Sequence, residues 1–328
     1  MSALSNSRVL VIGGLGFIGA NLSSRLIAHG AQVTALTPSR ERHAEQAAAF
    51  EREGATVVEG DLRDRSLMSD LVAGQAYVFN LSGQSGAVRS MEDPWTDLDV
   101  NLRGSLVLLE SLRAVNPQAK VVVAGSRLQY GRTDVVPVSE DAPKAPLSVH
   151  GIHKRTVEQY LRLYSRLYNL RFAAARVTNP YGPGQPRGRT AYGVINRLIH
   201  LAVADQPLTI YGDGAQLRDY VHVDDVVSAL IVLAESPKAD GRSYNVGSGT
   251  GTSLADVARI VVEIAGSGRI ESVPWPPLAE QIETGDFVAD ISRITRELGW
   301  SPVIGLRQGL EQTVASYRDA VSRAGHSN

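Results

Sequence analysis

The chain contains no cysteine among its 328 residues, which excludes disulfides, thiolate nucleophiles and thiolate metal sites together. It also lacks any run of about 18 apolar residues that would span a membrane, and residues 1–7 are polar, without the apolar stretch of a secretory signal. A cytoplasmic protein with no membrane partner is therefore expected. Charge of one sign is missing too. The formal net charge is -1 with no Lys/Arg run, so there is no electrostatic footprint for nucleic acid or anionic membranes. What is present, 43% hydrophobic and 20% charged residues, suffices for a full core in one large or two modest domains. A small-molecule partner is the default, and no metal site is expected.

The most informative segment is Gly13-Gly14-Leu15-Gly16-Phe17-Ile18-Gly19. It follows the apolar run at 8–12 and opens a helical pattern in which Phe17, Ile18, Leu22, Leu26 and Ile27 recur. Gly13 would allow a sharp turn, Gly16 a close approach of backbone to a pyrophosphate, and Gly19 tight packing of helix on sheet. The helix N-terminus then offers free N–H groups to phosphates. This motif in this context predicts a bound dinucleotide.

Further strands are expected at 32–36, 55–59, 76–80, 120–124 and 171–177, alternating with helices at 40–53, 64–72, 95–115 and 149–168. Short, continuously apolar strands between helices are the pattern of an α/β fold with a doubly wound parallel (Rossmann) sheet. Residues 179–189 are rich in proline and glycine and mark a loop into a smaller lobe. Helices are expected there at 191–204, 224–235, 253–265 and 305–322, with strands near 208–211 and 243–247. The predicted division is 1–178, with 217–250 returning, for the dinucleotide domain, and 179–216 with 251–328 for the substrate lobe.

Read in order, the punctuation of the chain resembles the extended short-chain dehydrogenase/reductase family, in its NAD-dependent epimerase/dehydratase group. The matching segments are GGLGFIG at 13–19, DLRD at 61–64, NLSGQSG at 80–86, DVNLRGSLVLLE at 99–110, AGSRLQYG at 124–131 and RVTNPYGPGQ at 176–185. IYGDGAQLRDYVHVDDVV at 210–227, YNVGSG at 244–249 and DISRITRELGWSP at 290–302 follow. The resemblance implies that Asp61 and Leu62 hold the adenine edge, that Leu81, Ser82 and Gly83 line the cofactor trough, and that Asn101 sits beneath the active site. It implies that Ser126 hydrogen-bonds the sugar hydroxyl being oxidised and that Lys154 binds the nicotinamide ribose. Gln84, Asn179, Tyr211 and Arg218 fall on the substrate side, with Asn179, Tyr211 and Arg218 on the nucleotide and its diphosphate. A nucleotide-sugar substrate and a homodimer built from the helices at 95–115 and 149–168 are likewise implied.

Three departures stand out. The family's catalytic tyrosine is His150, four residues before Lys154 and so on the same helical face. An adjacent ammonium disfavours imidazolium, which leaves His150 a neutral general base at pH 7. An imidazole is shorter than a phenol, so Tyr130 stands as a second candidate. At the end of the second strand, Thr37-Pro38-Ser39-Arg40 replaces the acid of NAD-selective relatives. Arg40 with Ser39 suits the 2′-phosphate of NADP, and Thr37 with Ser39 suits NAD. Arg127-Leu128 replaces the Asp-Glu of dehydratases, and 283–286 lacks the arginine that many epimerases place on substrate phosphates, for which Arg187 or Arg189 could compensate. Two readings follow: a nucleotide-sugar epimerase or ketoreductase acting through a transient keto-sugar, and an NAD(P)-binding sensor or partner protein without turnover.

Overall fold

Parallel pairing of short apolar strands organises the chain. The computed structural model describes residues 4–185 and 193–325. Its strands, in chain order, are β1 (Arg8–Ile12), β2 (Gln32–Thr37), β3 (Thr56–Glu59), β4 (Tyr77–Asn80), β5 (Lys120–Ser126) and β6 (Arg171–Val177). They continue as β7 (Asn179–Tyr181), β8 (Pro207–Tyr211), β9 (Leu217–His222), β10 (Arg242–Val246), β11 (Gly251–Ser253) and β12 (Arg269–Val273). Seven of them form one sheet in the order β10-β6-β5-β4-β1-β2-β3, every neighbouring pair parallel. This is the doubly wound sheet read from the sequence.

Period-two alternation divides the strand residues between two covered faces. Val9, Val11, Phe79 and Val122 pack on one face with residues of the helices Phe17–Ala28 and Val223–Glu235. Leu10, Ile12, Val78 and Val121 pack on the other with the helices Gly104–Val115 and Val149–Tyr168. The chain leaves β1 toward β2 on one side and returns to β4 on the other. That switch opens a crevice past the carboxyl ends of β1 and β4, the place where such sheets bind ligands.

The smaller lobe is a core of Ile195, Leu198, Ile210, Val257, Val261 and Val314. The helices Val194–Val203, Leu254–Ala265 and Leu306–Gly325 surround a β12-β8 pair beside the sheet β11-β9-β7. Strands β9, β11 and β12 escape a sequence reading because half or more of their residues are polar. In β9 the polar side chains of Arg218, Asp219 and His222 are nevertheless buried, which hides the alternation.

The expected single helix at 95–115 is broken into pieces. A short helix Ala87–Glu92 comes first, Asp93 then caps Pro94–Asp97, a π-helical stretch Leu98–Arg103 follows, and Gly104–Val115 completes the run. Apolar spacing does not distinguish i→i−4 from i→i−5 bonding, so the sequence pattern looked continuous. The wide turn matters because such insertions concentrate at functional sites, and this one carries Asn101.

Candidate active site

The glycine turn forms one wall of the crevice. Gly13 has φ +78°, a left-handed conformation that glycine adopts without strain, and the N–H groups of Gly13 and Gly14 both bond the carbonyl of Leu36. A Cβ at Gly13 would lie 3.0 Å from the backbone nitrogen of Ser82, and one at Gly19 would collide with the Gly13 carbonyl oxygen. Gly16 begins the helix Phe17–Ala28 with no side-chain cap, so the first N–H groups stay available to an anion. Phe17 and Ile18 are half-buried beside it.

The other wall follows β4. The Ser82 hydroxyl donates to Asn80 Oδ1 at 2.7 Å, and Leu81 packs against the sheet core. A Cβ at Gly83 would collide with Asn101 Oδ1 and stand 3.5 Å from Lys154 Nζ, so these three residues meet at one point. Asn101 donates to the carbonyl of Gln84 at 2.9 Å, while its buried Oδ1 has no hydrogen-bond partner. A turn that admits no side chain, an uncapped helix start and an orphaned polar atom together fit a dinucleotide.

The adenosine end has features the sequence did not reveal. Asp61 is held in a two-point ion pair by Arg63, whose hydrogen bonds keep its carboxyl below the usual range. Leu62 is buried under Gly104, and Thr37 Oγ1 bonds the carbonyl of Ser39 at 3.3 Å. The Arg40 guanidinium sits 2.6 Å from Glu51, and its backbone N–H donates to Glu59 Oε2 at 3.0 Å. The end of β2 carries no acid, and the carboxylate present at this corner comes from the end of β3. Thr37 and Glu59 are register partners, a relation that only strand pairing creates.

At the catalytic corner, Ser148 caps the helix Val149–Tyr168 by accepting from the Gly151 N–H. A Cβ at Gly151 would collide with the Leu128 carbonyl oxygen, so this helix start is seated on the turn Arg127–Gln129 that follows Ser126. Ser126 is half-buried at the end of β5, and its Oγ accepts from the Leu128 N–H. Lys154 Nζ donates to the carbonyl of Ala124 at 3.0 Å; burial pushes the amine down to about 8 against the opposing pull of Asp97.

His150 is buried, and burial together with Lys154 lowers its pKa from the ordinary imidazole value while Asp97 works in the opposite sense. Asp97 is a residue that sequence reasoning missed. It is fully buried, with Oδ1 2.7 Å from His153 Nδ1 and Oδ2 3.4 Å from His150 Nδ1. The last two atoms have no hydrogen-bond partner. Burial would raise the Asp97 carboxyl, but the histidines bring it below its ordinary value, so it stays ionised at neutral pH. A carboxylate can only accept, which puts a proton on Nδ1 of His153, the ring it hydrogen-bonds, while His150 Nδ1 stands at ion-pair distance from the same carboxylate. The one signal in the sequence was the spacing of four between Asp97 and Asn101.

Tyr130 must be withdrawn as a base. Its ring is fully buried, its hydroxyl donates to Asn245 at 2.6 Å and accepts from Arg176 at 2.8 Å, and burial pushes it up to about 12. The phenol is built into a buried network with the Arg176–Glu158 ion pair.

On the substrate side, Gln84 is buried with its Oε1 unpartnered. Asn179 donates to the carbonyl of Asp219 at 2.8 Å and accepts from Arg127 at 3.2 Å. Arg218 bonds the Glu283 carboxylate and the Gly285 carbonyl, whereas Asp219 faces the backbone N–H groups of Ser248, Gly249 and Ala289. Tyr211 stacks obliquely on Trp275 at 5.2 Å. Arg187 and Arg189 lie outside the described residues. Among the described residues no cluster of three histidine or acidic side chains is arranged to hold a metal, and no helix is long and apolar enough to cross a membrane.

Comparison with known proteins agrees with this fold. The chain is 33% identical to the UDP-glucose 4-epimerase of Mycolicibacterium smegmatis, over 95% of this chain and 99% of that one. The crystal structure of UDP-glucose 4-epimerase with UDP-glucose from Thermotoga maritima superposes with a TM-score of 0.86 at 30% identity, covering 96% of this chain and 99% of the other. The Thermus thermophilus UDP-glucose 4-epimerase complex with NAD gives 0.86 at 30%, covering 95% and 99%. The model of the NAD dependent epimerase/dehydratase family matches residues 9–247, a span that runs from β1 through β10 and takes in the whole parallel sheet. The chain belongs to that family.

Proposed function

We propose that the protein is an NAD-dependent nucleotide-sugar epimerase in which His150 replaces a tyrosine as the general base, with UDP-hexoses the substrates to try first. The observation that carries this reading is the placement of His150 between the Asp97 carboxylate and Lys154, one helix start away from Ser126. UDP-glucose 4-epimerases recur among the relatives in sequence and structure.

In this reading, Ser126 Oγ hydrogen-bonds the sugar hydroxyl and His150 Nε2 accepts its proton. Asp97 balances the imidazolium that forms, as carboxylates behind catalytic histidines do. NAD, when bound, would supply the acceptor and donor of hydride for the sugar carbon, and the turn at Gly13, Gly16 and Gly19 would hold it. Lys154 and Asn101, which meet at Gly83, would line the trough that holds it. His150 then gives its proton back to the oxygen, so the protein ends unchanged. Glu59 beside Arg40 favours NAD, because a carboxylate there repels a 2′-phosphate.

We also assign a homodimer through the helices Gly104–Val115 and Val149–Tyr168, whose outer surfaces expose Val115, Ile152, Leu163 and Leu167. Light scattering at about twice the mass of 35.2 kDa is the expected result. The function itself is tested by incubating the protein with NAD and UDP-glucose, UDP-galactose and their uronic acid and N-acetyl counterparts, and following C4 configuration by NMR. Interconversion of one pair is expected; tight NAD binding with no conversion of any nucleotide sugar would mean a binding protein instead.

A further inference from the structure

Asp97 serves two histidines. His150 and His153 stand three residues apart on one face of the helix Val149–Tyr168, close enough for a single carboxylate to reach both rings. Asp97 arrives there from the end of the short helix Pro94–Asp97, which Asp93 starts by accepting from the Thr96 N–H. The His150 backbone N–H donates to Ser90 Oγ at 3.0 Å, so the start of the long helix is tied to the stretch of chain that delivers Asp97. The two oxygens of the carboxylate then differ in use. Oδ1 accepts from His153 Nδ1 at 2.7 Å, whereas Oδ2 stands 3.4 Å from His150 Nδ1 and has no hydrogen-bond partner among the described residues. Burial raises the carboxyl, and His150, His153 and Asn101, in that order, bring it below its ordinary value.

A carboxylate bonded through neither oxygen is free to turn, and a buried one left short of donors takes up a proton instead of keeping its charge. Resting on the general-base reading above, we propose that His153 is a positioning residue: its Nδ1–H pins Asp97 Oδ1 and so keeps Oδ2 turned toward His150. It acts on the base only through Asp97. The side chain of His153 is 11% exposed and that of Asp97 is not exposed at all, so the carboxylate depends on protein donors for its orientation. An apolar residue at 153 would fill the space without supplying the donor.

The test compares His153→Leu, which keeps bulk and removes the donor, with His153→Asn, whose amide N–H stands in for Nδ1–H. The substrate is whichever of the UDP-sugars tested above the parent converts, at saturating NAD. His153→Leu is expected to lower kcat roughly tenfold at unchanged KM, and His153→Asn to recover all but about threefold of it. In an Asp97→Ala background, His153→Leu is expected to add nothing further, because the intermediary is gone. Equal losses in the leucine and asparagine variants, or a leucine loss that persists in full in Asp97→Ala, overturn the proposal. A second readout needs no turnover. In NAD-saturated protein carrying isotope-labelled histidine, NMR is expected to show that His153→Leu shifts the His150 ring nitrogens, and that the same substitution in Asp97→Ala leaves them in place. Coupled ring signals without conversion of any sugar would end the epimerase reading and leave the linkage of His153 to His150 standing. Conversion of a sugar without that coupling would do the reverse.

Discussion

The two ends of the cleft are built from different materials. At the dinucleotide end, the contacts are backbone and glycine: a Cβ at Gly13 would press on the Ser82 backbone and one at Gly19 on the Gly13 carbonyl. At the sugar end, the contacts are ionisable side chains: His150, Asp97, Lys154, Arg127, Arg218 and Glu283. Backbone geometry tolerates little change, because strain at such turns costs about 1–3 kcal/mol. Side-chain chemistry can be exchanged as long as a partner is supplied from elsewhere. His150 illustrates this, since the buried Asp97 carboxylate lies 3.4 Å from its Nδ1.

The largest effect expected is on chemistry alone. His150→Ala should lower kcat by about 10²–10⁴, the range for loss of a general base, while NAD affinity measured by fluorescence titration stays within twofold. A parallel loss of NAD binding would break the distinction between the two ends. Conversely, Gly19→Ala should weaken NAD by roughly 30-fold, in line with about 2 kcal/mol of strain, with the circular dichroism spectrum unchanged.

Asp97→Asn should cost less, roughly 10- to 100-fold in kcat, by removing the charge behind the imidazole. Its second signature is in pH. Asp97 raises the His150 pKa against burial and Lys154, so the asparagine variant should move the acidic limb of kcat to lower pH. For the parent, the rate should rise with pH as His150 loses its proton below 6.5, level off, and fall as Lys154 deprotonates near 8. A profile still rising at pH 9 would remove Lys154 from the mechanism.

The smallest effect on turnover belongs to Tyr130→Phe. It should leave kcat within twofold and lower unfolding free energy by about 1–3 kcal/mol, because Asn245 and Arg176 lose a buried partner. Thermal unfolding checks the stability, and a kcat loss above tenfold would return Tyr130 to the site.

The sequence by itself determined the parallel sheet and the dinucleotide turn, and left NAD and NADP both open. The sheet and the turn rest on local facts: apolar runs at strand length, glycines at fixed offsets, and a helix that must begin where the turn ends. It also placed His150 and Lys154 on one face, since helical spacing is local too. What only the tertiary structure decided is which groups charge meets. His153 and Asp97 are 56 residues apart, and Arg218 and Glu283 are 65 apart. The sequence left Tyr130 open as a base, and the fold buried it in an ion-pair network. The sequence also showed no acid at the end of β2, and strand pairing brought Glu59 there from β3. Electrostatic partnership depends on distance in space and on burial, and neither is set by residues near one another in the chain.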